Sequence, residues 1–200
     1  MSEGAQPREP EPLTQDPARP ASTAPDRLQG MRAVTAGQAL FIGAWLFGVL
    51  GAVTESPLGW LAVGFGLAAL VVSPIGFFLA RPRWRRLGPA AGLVLVAGVG
   101  AALLAFAAIP AAREWGKLGA FLFATMILGC ALAASHLVAA VGVLVGGQRG
   151  LGAAAMVLFS LALAGGLAMF GGGGVLGVGA VGCAFAGHVL LLVAAATVRA

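Results

Sequence analysis

Two imidazoles offer the only obvious chemistry in the oily part of this sequence. His136 closes the stretch GCALAASH and His188 closes GCAFAGH, and no other histidine occurs in the chain. A cysteine precedes each, Cys130 and Cys183, and these are the chain's only cysteines. An imidazole in an apolar setting can ligate iron, hydrogen-bond a quinone or carry a proton. Helix geometry argues against a shared zinc site. Cys130 and His136 are about 240° apart around a helix, and Cys183 and His188 about 140°, so neither pair shares a face. The cysteines are read as small packing residues.

Composition says what must position these residues. Of 200 residues, 60% are hydrophobic and 10% charged, with 32 glycines. Mean hydropathy is +0.97. A small water-soluble domain cannot hide so much apolar surface, so lipid must cover it. Six apolar runs are long enough to cross a bilayer: 33–53, 57–80, 90–109, 118–146, 151–170 and 175–197. The predicted fold is an all-α membrane protein, a six-helix transmembrane bundle with a disordered N-terminal tail. The tail, residues 1–30, holds six prolines and five acids with few large apolar residues, too little to offset its ordering entropy.

Within the spans, Gln38 is the one strongly polar side chain of the first. Ser73-Pro74 predicts a kink in the second, and the carbonyl freed by Pro74 needs a partner from a serine or a neighbouring helix. Trp60 falls at headgroup level. Gly142 and Gly146, and the ridge Gly179, Cys183 and Gly187, favour close helix packing.

The charge pattern sets an orientation. All but Arg113 and Lys117 of the 12 basic residues belong to the tail, the second and fourth connections and the C-terminal end. Arg81, Arg83, Arg85 and Arg86 crowd one connection, where they serve topology and contact anionic headgroups. Both termini are therefore expected on the cytoplasmic side of an inner or plasma membrane. The basic excess is a topology signal, and nucleic acid is not an expected partner. The expected partners are the lipid bilayer and other membrane subunits or further copies of the chain.

No acidic or basic residue falls inside any span, which removes the usual apparatus of proton relays, ion-coupled carriers and voltage sensors. Paired carboxylates, HExxH, a GxSxG elbow and a phosphate-binding loop are all missing from the sequence. The leading expectation is a non-enzymatic accessory or scaffold subunit of a larger membrane complex. A second reading is a b-type haem-binding electron-transfer subunit. His136 and His188 lie on two helices of the same direction at nearly one depth, the placement of bis-histidine ligation, with Arg81, Arg83 or Arg149 left to meet the propionates. A third is a carrier or channel for a small neutral solute.

Overall fold

A computed structural model describes residues 24–108, 116–170 and 174–197. The tail to residue 23, the turn at Arg113-Glu114-Trp115, Gly171–Gly173 and Arg199 lie outside the described residues. All regular structure within them is helical. The long helices are α1 (Ala24–Thr54), α2 (Leu58–Leu79), α4 (Leu87–Ala108), α5 (Gly116–Val145), α6 (Arg149–Phe170) and α7 (Gly174–Ala196). A single turn, α3 (Arg81–Trp84), lies between α2 and α4. The six long helices contain spans long and apolar enough to cross a membrane.

The limits of helices α2, α4, α5, α6 and α7 lie within three residues of the apolar runs in the sequence. The exception is the first. Helix α1 begins at Ala24, inside the stretch assigned to the tail. Pro25 falls in its opening turn, where a missing N–H costs nothing, so proline content there does not exclude helix.

Helix ends follow from capping. At the end of α1, Ser56 N–H donates to the Gly51 carbonyl at 3.2 Å, with Glu55 between them at φ 48°. At the end of α5, Gln148 N–H donates to the Val143 carbonyl at 3.2 Å, around Gly147 at φ 101°. Both are six-to-one closures around a left-handed residue. One uses glycine and the other does not.

The contact series shows antiparallel hairpins. Gly30 meets Leu79, Gly37 meets Ser73 and Gly51 meets Gly59, so α2 descends along α1. Gly98 of α4 lies on Ala131 of α5, and Gly152 of α6 lies on Leu144 of α5. A Cβ added at Gly76 would sit 2.7 Å from the Val34 nitrogen. The two backbones there are as close as glycine permits, the packing mode that lipid-embedded helices use. Packing proceeds α1–α2–α4–α5–α6–α7 and returns from α7 to α1. The helices thus form a closed ring in chain order.

One end of this ring is basic. Met31, Ala80, Trp84, Ala194 and Ala195 cluster there, beside exposed Arg32, Arg83, Arg85, Arg86 and Arg149. Arg81 is in α3; its side chain lies outside the described residues. Trp84, between arginines in sequence, is buried against Gly142. The arginine connection is therefore anchored into the bundle by its own aromatic. At the other end Trp60 is 77% exposed. Pro74 sits inside α2; among the described residues the buried Ser73 hydroxyl has no hydrogen-bond partner, so it does not take up the freed carbonyl.

Candidate functional site

Three polar side chains meet inside the ring, one from each of the hairpins α1–α2, α4–α5 and α6–α7. Gln38, His136 and His188 are all buried. The imidazole centroids are 4.6 Å apart, with planes at 78°. The two histidines therefore share a level. Gln38 was singled out by the sequence but not tied to the histidines; it is the residue that joins them.

The hydrogen bonds form one chain. His136 Nδ1 is 2.8 Å from the Leu132 carbonyl. Gln38 Nε2 is 3.2 Å from His136 Nε2. His188 Nδ1 is 2.7 Å from Gln38 Oε1. A carbonyl can only accept, so His136 donates from Nδ1. With that ring neutral, its Nε2 accepts from the Gln38 amide, and the amide oxygen accepts from His188 Nδ1. Reversing the amide would set its oxygen against His136 Nε2, which then needs a second ring proton and a buried cation. The neutral network thus fixes the amide and both tautomers. Next to it, the Ser135 hydroxyl donates to the Ala91 carbonyl at 2.7 Å.

Aromatic rings close the site. Phe41 stacks on His188 at 4.8 Å. Phe41, Phe77 and Phe159 surround His136 at 5.3, 5.4 and 5.3 Å. Gly187 gives Phe159 its space, since a Cβ there would approach the ring to 2.8 Å. Of the sequence ridge, Gly187 packs internally while Gly179 has open space before it.

This geometry does not fit a haem held between the two histidines. Axial nitrogens must face an iron from opposite sides at roughly 2 Å each, with the macrocycle between them. Here the rings touch edge to face, and both nitrogens of His136 are already engaged. Gln38 and the phenylalanines fill the space a porphyrin would take. Among the described residues, no three His, Cys, Asp or Glu side chains gather as a metal site requires.

A cavity of about 290 Å³ adjoins the network. Phe41, Trp45, Met126, Cys130, Phe159 and His188 are among its walls. It follows α7 from Ala180 to His188, roughly 12 Å at the helical rise, away from the basic end. Thr125, Gly129 and Val181 on its wall are exposed, so it reaches the protein surface. No protein-family model, curated protein or solved structure matches this chain. Function must therefore be read from the site. Of the arginines in the α2–α4 connection, Arg83, Arg85 and Arg86 are exposed at the basic end and are not brought to it.

Proposed function

We propose that this multi-pass protein binds a small, neutral, mostly apolar molecule within the bilayer and carries it or holds it there, without transforming it. The observation behind this reading is the cavity of about 290 Å³, roughly twice the 150 Å³ that accepts one benzene ring. Its walls suit a molecule of two-ring size dissolved in lipid, and the spans offer no ionised group to hold a charged one. The accessory-subunit reading rests on the same charge-free spans and names no partner.

We also infer an orientation. The basic end of the ring belongs on the cytoplasmic side, which turns the cavity toward the opposite half of the membrane.

Naphthalene titrated into the protein in detergent micelles tests the binding reading. The expected result is saturable, one-to-one quenching of Trp45, measured with the other tryptophans replaced by phenylalanine. Ala184→Phe, at the cavity wall, should weaken it at least fivefold. Linear, non-saturating uptake identical to empty micelles would remove the reading.

A further inference from the structure

We infer that the cavity selects molecules bearing a hydroxyl or another single hydrogen-bond donor, because His188 presents it with a lone pair. The inference rests on the cavity reading above and specifies its ligand class. His188 is 4% exposed and lines the cavity. Its Nδ1 is bound to Gln38. Among the described residues its Nε2 has no hydrogen-bond partner, and Ser73 Oγ is the only side-chain polar atom both sealed and unpartnered. The free edge of the imidazole is therefore the accessible one.

The sign of that edge follows from the chain of bonds that starts at Leu132. Each link must alternate donor and acceptor: carbonyl, imidazole, amide, imidazole. The last atom, His188 Nε2, then carries no proton. The rest of the wall is almost wholly apolar; Thr125, its one hydroxyl residue, donates to the Phe121 carbonyl at 2.8 Å, which leaves the Trp45 indole N–H and the weakly donating Cys130 thiol as its other polar side-chain groups. A ligand donor reaching Nε2 forms a hydrogen bond shielded from water. A ligand offering only an acceptor, such as a ketone or ether oxygen, sets lone pair against lone pair. Sites built to bond a hydroxyl reject the analogue that lacks it. The ligand class is an apolar alcohol, phenol or hydroquinone, favoured over the corresponding ether, ketone or quinone. Gln38 is a positioning residue here, since it holds the tautomer without reaching the cavity.

The test compares 1-naphthol with 1-methoxynaphthalene and naphthalene, titrated into the detergent-solubilised full chain. The expected result is that naphthol binds about tenfold more tightly than its methyl ether. The preference should fall below threefold in His188→Phe, and also in Gln38→Leu, which keeps the imidazole but frees its tautomer. Equal binding of naphthol and ether by the wild-type protein would overturn the donor inference and leave the cavity reading standing. Failure of all three to bind would remove the cavity reading itself. A second measurement needs no variant: nitrogen NMR of histidine-labelled protein should show both rings protonated at Nδ1. A proton on Nε2 of His188 would overturn the inference even if naphthol binds.

Discussion

An amide carries a donor at one end and an acceptor at the other, which is why glutamine can join two neutral imidazoles of the same tautomer. Removing it strands His136 Nε2 and His188 Nδ1 where water cannot replace it. Each unsatisfied buried group costs about 1–3 kcal/mol in soluble proteins, and intramembrane hydrogen bonds average about 0.6 kcal/mol. Gln38→Leu should therefore destabilise the protein by about 2 kcal/mol, read as a lower unfolding midpoint in detergent. An unchanged midpoint would mean the network holds nothing together. The sequence showed the two histidines and their common depth because both can be counted from a helix end. It did not show the role of Gln38. That residue lies 98 positions from His136 and 150 from His188, and no local pattern encodes a contact made through ring closure. A signal was nonetheless present: it is the one strongly polar side chain of its span, and buried polar groups require partners.

Glycine and turn chemistry act at the level of helices. Gly98 and Gly100 are near neighbours on α4, yet a Cβ at Gly98 collides with Ala131 while one at Gly100 meets nothing. Gly98→Ala should destabilise by about 1–3 kcal/mol through overpacking, whereas Gly100→Ala should be neutral or mildly stabilising. Chemical unfolding of the two variants checks this, and equal effects would contradict the α4–α5 register. The paired six-to-one closures give another contrast. Glu55 occupies a left-handed position that Gly147 occupies without strain. Glu55→Gly should raise stability by about 0.5–1 kcal/mol, and Gly147→Ala should lower it by a similar amount. Thermal melts of both variants decide; a lower midpoint for Glu55→Gly, or an unchanged or higher one for Gly147→Ala, would contradict the cap assignment. Apart from the start of α1, helix extents were legible because charges, prolines and glycines punctuate the apolar runs. The burial of Trp84 was not, since four neighbouring arginines make Arg81–Arg86 read as wholly surface. Its place depends on Gly142, some sixty residues later.

Viewed as a molecule, each hairpin supplies one polar group to the centre, so register between hairpins is fixed by hydrogen bonds and not by oily packing alone. The number of spans could be read from hydropathy, but the order of helices around the ring could not. Apolar faces that are uniformly rich in alanine, glycine and leucine do not state their neighbours. The orientation can be checked directly. A reporter that functions only outside the cytoplasm, fused after Ala200, should stay silent, and one inserted in the turn between α1 and α2 at Ser56 should be active. The reverse pattern would invert the assignment.

The return of α7 to α1 has a consequence for chain connectivity. The beginning of α1 and the end of α7 lie at the same basic end, on neighbouring helices, and the α5–α6 turn is there too: the Gln148 amide donates to Thr197 Oγ1 at 3.1 Å. Where helices follow one another around a circle, the backbone has no privileged starting point. A circular permutant with its old termini spliced by a flexible linker and new ones opened at Gly147–Gln148 should thus rebuild the same barrel of helices, with the naphthol preference intact.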